Sequence, residues 1–414
     1  MLVYYNARRA AFACFAMIFV ASVTFAEDLS LQQALGIATK YNPTIAAGQL
    51  SAQSALQSAK GARALANPEV IVAPSVMGEA GSDSAILFSQ PLELNGSRKA
   101  RGDIAAFEAV AARFDADALR KDIALRVGNA YWDVAKAQEL VSLNQDNVDY
   151  LETVRAAVQK QYDVGAAPGS QPMKMEVELA RARQELVQAK LKLAQDKTSL
   201  NALLNRPCEV EFVTSDPLIF KNVCADRQSL VALAISKRPE IAAAESQFNA
   251  AKSRISAARA LRIPDLAIQA RKESFDAGSD GGLALAITLP LIDWGSAKSG
   301  KQSALTAARS REKQLETVRV GVITDVQQAI NQVETTSQIV REYQSGILEK
   351  SEQLAQMAKK GYEKGASSYL ELLEAQRTLR STRSSYYTAL AEHAKALVQL
   401  EWAIGCSINT EVIK

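Results

Sequence analysis

An internal repeat constrains this chain more than any other feature. Short motifs of the first half return in the same order in the second half, displaced by about 200 residues, which is too long for a solenoid and fits a duplicated domain-sized unit. The matched segments are Asn42-Pro43 with Arg238-Pro239, Gln90-Pro91-Leu92 with Leu289-Pro290-Leu291, Gly96 with Gly295, and 162–166 with 362–366. We therefore expect two consecutive copies of one architecture.

The first 26 residues have the order of a secretory signal: Arg8-Arg9, then an apolar run, then a short segment ending at Ala26. We expect cleavage there and a mature chain that begins at Glu27. The run is shorter than the roughly 20 apolar residues that a membrane-spanning helix needs. The nearby Cys14 lies inside the run, so no lipid anchor is expected.

The repeat divides the mature chain. Each copy is predicted to run from a helical segment through a β-hairpin to a long helical hairpin. The predicted segments are the signal peptide 1–26, the first copy 27–205, an equatorial linker 206–227, the second copy 228–405 and a C-terminal tail 406–414. The β-hairpins are predicted at about 68–92 and 264–291, and the helical hairpins at about 97–205 and 296–404.

A two-residue hydrophobic period predicts the strands. Leu283, Leu285 and Ile287 alternate with small residues, and segments 70–76 and 85–92 are their counterparts in the first copy. An Ala-Gly-Ser-Asp segment, at 80–83 and again at 277–280, is predicted to form each turn. Strands of about ten residues with one apolar face suit a transmembrane β-barrel, although a soluble hairpin would show the same pattern. Trp294, just past a strand, has the position of an interfacial aromatic anchor.

Long proline-free stretches follow each β-hairpin. No proline lies between Pro91 and Pro168, and none follows Pro290, so long helices can form. Leu179, Leu186, Leu193 and Leu200 step by seven, the period of helices that supercoil against each other. A helix over 97–162 would reach roughly 100 Å. The partner helix returns after a turn at 165–172, which predicts antiparallel helical hairpins.

Four strands per chain are too few to enclose a pore, yet a bilayer accepts strands only in a closed barrel. The chain is therefore expected to pool its strands with copies of itself. Three copies give about twelve strands, an even number within the range of known barrels. The same symmetry would arrange the helical hairpins as a tunnel. The predicted fold class is thus mainly α with a small β part: a trimeric 12-stranded outer-membrane β-barrel continued by a long α-helical coiled-coil barrel.

The chain resembles the TolC family of outer-membrane efflux proteins over essentially its whole mature length. The resemblance is carried by the two-copy layout, by 289–295 after the second β-hairpin and by the Tyr-x-x-Gly-Ala turns. Segment 89–98 further resembles the cobalt-zinc-cadmium (CzcC-like) branch. The resemblance implies a homotrimer in the outer membrane of a Gram-negative cell, extending into the periplasm. It also implies docking to a periplasmic adaptor (membrane fusion) protein, which joins the channel to an inner-membrane RND pump that supplies the energy. The cargo implied is heavy-metal cations.

The resemblance implies two groups of candidate functional residues, a pair of acids and the residues of the two helix turns. Glu371 and Glu374, three residues apart on a helix, would share a face and form rings of negative charge at the periplasmic gate. An ordinary solvated helix face is the alternative. The turn residues are the candidate adaptor contacts, or serve only to reverse the chain; they are Gly165, Ala166, Gly365, Ala366 and Ser367.

Other chemistry is poorly represented in the sequence. Cys208 and Cys224 are either a disulfide or two thiols, and no CxxC occurs. The single histidine, His393, matches the heptad position of Leu193 and is expected in a helix interface rather than at a metal. No nucleophile–base pair or phosphate loop is recognisable, so no enzymatic activity, cofactor or metal site is expected. A net charge of +3 over 414 residues argues against a nucleic-acid partner.

Two alternatives to metal efflux remain. A periplasmic coiled-coil adaptor or scaffold would bind partners without forming a pore, but it would not need two β-hairpins. A TolC-like channel for drugs or for type I protein secretion would keep the architecture and change only the cargo. The sequence does not separate these cargoes, because an outer conduit conducts what its pump delivers.

Overall fold

The computed structural model describes residues 27–73, 84–165, 168–223, 226–275, 278–289 and 294–407. The strands are β1 Glu27–Leu29, β2 Glu69–Ala73, β3 Ser84–Pro91, β4 Phe212–Thr214, β5 Asp265–Phe275 and β6 Gly278–Thr288. The helices are α1 Leu31–Tyr41, α2 Pro43–Ala62, α3 Ser97–Asp163, α4 Ser170–Leu203, α5 Arg227–Lys237, α6 Pro239–Ala260, α7 Ser296–Glu342, α8 Leu348–Glu363 and α9 Tyr369–Ile404. The same series of elements therefore occurs twice.

The helical segment that opens each copy is broken in two. Asn42 and Arg238 have extended backbones, with ψ of 121° in both, and each is followed by a proline in the first turn of the next helix. A proline disfavours helical geometry in the residue before it but fits the start of a helix. The sequence predicted one helical segment per copy, and this proline effect accounts for the break between α1 and α2 and between α5 and α6.

The two β-hairpins join into one four-stranded sheet in the order β2-β3-β5-β6. All neighbouring strands are antiparallel, and β3 pairs with β5 through a register that includes Phe88 opposite Ala270. The predicted turn in the second copy is wrong in detail, because Gly278, Ser279 and Asp280 belong to β6 and Phe275 pairs with Gly278. Longer pairing satisfies more backbone groups, which a strand in a lipid environment requires. The corresponding segment 80–83 lies outside the described residues.

Alternating side chains give the sheet one apolar face. Opposite residues in the ladder share a face, which places Ile268 beside Leu285 and Leu266 beside Ile287. The adjacent strand β3 adds Phe88 to this face, and β2 adds Val70 opposite Phe88. The other face carries mainly small and polar residues such as Gln269 and Ala284, although Leu87 and Ile71 also lie on it. The apolar side chains are largely exposed in the single chain, as in Leu283 at 84 %.

The long helices pack through small side chains. Helix α3 is 67 residues long, and its buried residues include Ala100, Ala109, Ala111, Ala135 and Ala137. Gly128 allows a close approach, since a Cβ placed there would lie 2.6 Å from Val398 Cγ1. Such contacts bring the helices together as a thin wall, whereas large apolar side chains would thicken it.

The second copy contains an interruption that the first lacks. Residues Tyr343–Ile347 form a π-helical turn between α7 and α8, and Gly346 there has φ of 152°. A glycine is needed because a side chain rarely adopts such a backbone conformation. The sequence predicted an uninterrupted helix here, and Gly346 was the residue that could have indicated the break.

The linker between the copies is anchored to both. Strand β4 pairs in parallel with β1, which the sequence did not predict. Tyr131 Oη lies 2.9 Å from Leu29 O and 2.8 Å from Asp216 Oδ2, so α3 also holds the linker. His393 is fully buried, with Nε2 2.9 Å from Lys221 O and Nδ1 3.1 Å from Thr336 Oγ1. The predicted helix-interface position of His393 is confirmed.

Among the described helices, none combines the length and hydrophobicity needed to cross a membrane.

Candidate functional site

The turn between α8 and α9 is a compact tip held by backbone hydrogen bonds. Gly365 has φ of 71°, and its N–H donates to Tyr362 O at 3.0 Å. The N–H groups of Ala366 and Ser367 both donate to Gly361 O, at 2.8 and 3.1 Å. Glycine tolerates the left-handed conformation of position 365, which allows the chain to reverse here.

The turn between α3 and α4 repeats this geometry in part. Gly165 has φ of 73° and donates its N–H to Tyr162 O at 2.9 Å. Ala166, the second predicted contact residue of this tip, lies outside the described residues. The two tips are neighbours, because Tyr362 Oη donates to Gln161 Oε1 at 2.9 Å. The structure thus brings Gly165, Gly365, Ala366 and Ser367 to one end of the molecule.

Glu371 and Glu374 lie in the first turns of α9, immediately after the second tip. Ser368 caps this helix by accepting the N–H of Glu371 at 3.2 Å. Both glutamates are exposed, whereas Leu372 and Leu373 between them are buried. Packing of the two leucines therefore fixes the rotation of α9 and turns both carboxylates away from the core.

Two arginines, Arg377 and Arg380, follow the two acids along α9 at the same three-residue spacing. Each such step falls about 60° short of a full turn, so Arg380 lies on the opposite side of α9 from Glu371. Arg377 forms an ion pair with Glu178, and Arg380 forms one with Glu185. Both partners lie on α4, so these pairs bridge the first helical hairpin to the second. A cavity of about 220 Å³ lies between the bridges, lined in part by Asn147 and Gln376. The sequence analysis missed these arginines, although their spacing from Glu371 and Glu374 was visible.

A buried tyrosine, Tyr369, adds an apolar contact between α4 and α9, the same two helices that the ion pairs connect. Tyr369 Oη donates to Met175 Sδ at 2.7 Å, and its ring lies 6.3 Å from that of Tyr362. Burial, followed by the nearby Glu178 carboxylate, raises the pKa of Tyr369 to about 12. The phenol is therefore neutral at physiological pH and acts as part of the hydrophobic contact between α4 and α9.

The remaining candidate residues show no assembled chemical site. Cys208 is exposed, and Cys224 lies outside the described residues, so their pairing stays a prediction. No group of three or more His, Cys, Asp or Glu side chains with the arrangement of a metal site occurs among the described residues.

A four-stranded antiparallel sheet with one apolar face, joined to helices far longer than a globular core requires, defines a class of protein. It is the protomer of a membrane channel in which a shared β-barrel continues into a helical tunnel. The chain belongs to the outer membrane efflux protein family, whose model matches residues 34–206 and 230–406. The two matched blocks correspond to the two copies found in the sequence.

Individual relatives agree with this assignment. The chain is 24 % identical over 382 residues to the cobalt-zinc-cadmium resistance protein CzcC of Cupriavidus metallidurans, covering 92 % of this chain and 91 % of that protein. It is 22 % identical over 321 residues to the outer membrane protein TolC of Vibrio cholerae, covering 72 % and 70 %. The solved structure of CusC, which forms a transmembrane channel, superimposes with a TM-score of 0.78 at 19 % identity, covering 93 % of this chain and 94 % of that one.

These comparisons confirm the resemblance to the TolC family and its CzcC-like branch. They also confirm the fold class, because CusC has the same architecture over nearly the whole chain. The chain is an outer-membrane efflux channel protein of this family, and not an enzyme.

Proposed function

We propose that this chain is the outer-membrane subunit of a tripartite RND-type efflux system and passively conducts heavy-metal cations from the periplasm to the exterior. The observation that carries the metal assignment is the similarity to CzcC, which extends over 92 % of this chain and 91 % of that protein. A channel for drugs or for type I protein secretion is the second candidate, favoured by the weaker similarity to TolC.

The sheet supports a homotrimer. Its outer strands β2 and β6 each have one unpaired edge within the described sheet, and a bilayer does not tolerate open edges. Because the sheet has four antiparallel strands, β6 of one copy can pair antiparallel with β2 of the next without a change in the pattern. Three copies then close a barrel of about twelve strands. The apolar face with Leu283 and Leu285 would contact lipid, and the face with Gln269 would line the lumen.

The opposite end of the protomer supports the docking proposal. Gly165 and Gly365 form the tips, and the second tip also carries the exposed Ala366 and the half-buried Ser367. These tips would contact a periplasmic adaptor protein, which joins the channel to an inner-membrane RND pump. Residues 1–26 would be removed on export without lipid attachment, and 206–227 would link the two copies.

The gate would be formed by Glu371 and Glu374. Threefold symmetry would repeat the two exposed carboxylates as rings about 4.5 Å apart along the helix axis, given three residues of helical rise. Rings of carboxylates at a constriction favour cations over anions. The neighbouring Arg377 does not cancel this charge on its own, since it is already paired with Glu178.

The cargo is tested in cells. Deletion of the chain should reduce growth on zinc, cobalt and cadmium and leave growth on detergents and dyes unchanged. Unchanged metal tolerance with raised sensitivity to dyes would replace the metal proposal by the drug-channel alternative. Cell fractionation distinguishes the channel from the scaffold alternative, because a periplasmic adaptor without a pore would not purify with the outer membrane.

The gate is tested in planar bilayers by the double variant Glu371→Gln and Glu374→Gln. Cation preference, measured as a reversal potential in a salt gradient, should fall toward that of an uncharged pore. The matched control removes the same charge elsewhere, by Glu209→Gln in the linker and Glu349→Gln on α8, two exposed acids away from the second tip. Equal reversal potentials for the gate variant and the wild type would remove both acids from the proposed gate.

A further inference from the structure

Four helix ends meet the sheet at one level of the molecule. Helix α2 ends at Ala62 and α6 at Ala260, each shortly before a strand begins. Helix α3 begins at Ser97 and α7 at Ser296, each shortly after a strand ends. If the sheet spans a bilayer, these ends lie where the strands leave the hydrocarbon, at the headgroups of the periplasmic leaflet.

Positive side chains gather at all four of these ends. Each of the six is exposed, and none forms an ion pair with another described residue. We call them the cationic collar: Lys60 on α2, Arg98 and Lys99 on α3, Arg259 and Arg262 at the end of α6, and Lys298 on α7.

The acids at this level do not neutralise the collar. Among the described residues, Glu93 is paired with Arg101. Asp265 accepts a hydrogen bond from the neutral amide of Asn95 and keeps its charge. Asp265, Glu69 and Asp103 are therefore three acids against six collar cations. The level therefore carries a net positive charge, which three copies would repeat around the channel.

Exposed apolar side chains lie at the same level as the collar. Leu94 and Leu261 are each 70 % exposed, and Trp294 is 93 % exposed. Leu65 and Ile263 add to this belt. Large apolar groups so exposed to water are unfavourable, whereas at a membrane boundary they insert into lipid and tryptophan takes its preferred interfacial position. Lysine and arginine beside them can lay their stems along lipid and place their charges among headgroups.

We propose that the cationic collar binds the anionic phospholipid headgroups of the periplasmic leaflet. This inference rests on the proposed membrane barrel and adds a lipid preference to it. Exposed basic residues at a charged bilayer contribute about 1 kcal/mol each, and this attraction extends over about one Debye length. A collar facing only the aqueous lumen would not explain the apolar belt beside it. The collar therefore selects phosphatidylglycerol-type lipids over neutral ones and holds the barrel at a fixed depth.

The test compares three purified channels. The collar variant carries Arg98→Gln, Lys99→Gln, Arg259→Gln and Arg262→Gln. The control variant removes four exposed lysines near the helix tips, by Lys160→Gln, Lys174→Gln, Lys359→Gln and Lys360→Gln. Each protein is offered a choice between vesicles of phosphatidylcholine and vesicles of phosphatidylcholine mixed with phosphatidylglycerol, and the partition is measured by flotation. Conductance is recorded separately in bilayers of pure phosphatidylcholine.

Wild type and control should favour the phosphatidylglycerol vesicles by at least about tenfold, since each cation contributes roughly fivefold. The collar variant should lose most of this preference, and high salt should abolish it in the wild type by screening. Equal preference in all three proteins, or an equal loss in the control, overturns the collar. A changed ion selectivity without a changed lipid preference would place these cations in the lumen and also overturns it. Absence of conductance in the wild type would instead refute the channel proposal, so the two failures are distinguishable.

Discussion

Arg238 is the residue whose replacement should destabilise the second copy most clearly. Its side chain is only 4 % exposed and lies between the α5–α6 break, helix α7 and the end of α9. The guanidinium bonds Glu240 at 2.9 Å and Asp325 at 3.2 Å, and it stacks 4.1 Å from the ring of Trp402. It also donates to the carbonyl oxygens of Trp402 and Ala403, both at 3.4 Å.

The expected cost of Arg238→Met follows from these contacts. The two acids are 28 % and 35 % exposed, so water can solvate them after the change, and each ion pair accounts for about 1 kcal/mol or less. The stacked ring adds about 0.5–1 kcal/mol, and the two long hydrogen bonds to carbonyls add about 1 kcal/mol together. We expect a loss of about 3 kcal/mol. Arg238→Lys keeps the charge but not the planar stacking, and should lose about half of that.

Unfolding of the purified protein in detergent, followed by helical circular dichroism in increasing urea, measures this loss. The control is Arg227→Met, because Arg227 also forms an ion pair with an acid on α7, Glu334, but is 47 % exposed. It should change the free energy of unfolding by less than about 1 kcal/mol. A value for Arg238→Met as small as that of the control would refute the reasoning.

Three further predictions concern single residues. Burial lowers the pKa of His393, so the folded state favours the neutral imidazole. The stability that this residue contributes should be complete above pH 6.5 and should fall as the pH drops below it. In urea unfolding, His393→Gln should not show this fall of the midpoint at acid pH. The pKa of Tyr369 is raised to about 12, so the stability that its neutral phenol contributes should be complete below pH 10. Between about pH 10 and 12 the protein should lose about 2 kcal/mol of this stability. Tyr369→Phe should not show that loss in urea titrations. Gly365→Ala should strain the second tip by about 1 kcal/mol, because φ is positive there. The variant should capture less adaptor protein, and its trimer should stay intact on native gels. Unchanged capture would contradict the proposed contact between this tip and the adaptor.

Much of the fold could be predicted from the sequence because each weak motif or periodic pattern occurs twice, once in each copy. The start of α3 at Ser97 and its end at Asp163 lie close to the predicted helix, since a left-handed Gly96 precedes it and no proline interrupts it. The alternation of apolar and small residues in β6 was sufficient to predict the strands of the small sheet. The pairing of β3 with β5 was not predictable, because strands that are far apart in the sequence leave no local signal of their pairing. The break at Tyr343–Ile347 depended on one glycine in an otherwise helical pattern.

The candidate site was predictable only in part. The positions of Glu371 and Glu374 followed from helical spacing, and both prove exposed on α9. The bridges from Arg377 and Arg380 to α4 were not predictable, since each joins residues almost 200 positions apart. Ion-pair partners at that separation depend on which helices become neighbours. That order is set by packing of small side chains rather than by charge.

The two copies solve one structural problem with different chemistry. Asn42 precedes Pro43, caps α2 by accepting the N–H of Thr44 at 2.9 Å, and donates Nδ2–H to Leu203 O at 2.8 Å. Arg238 precedes Pro239 and donates to the carbonyls that end α9. In each copy, the residue before the proline thus binds the end of the helix that returns from the tip. What duplication preserved is a donor at this position and not a residue type, because the unsatisfied carbonyls at the end of a helix require a partner whichever side chain supplies it.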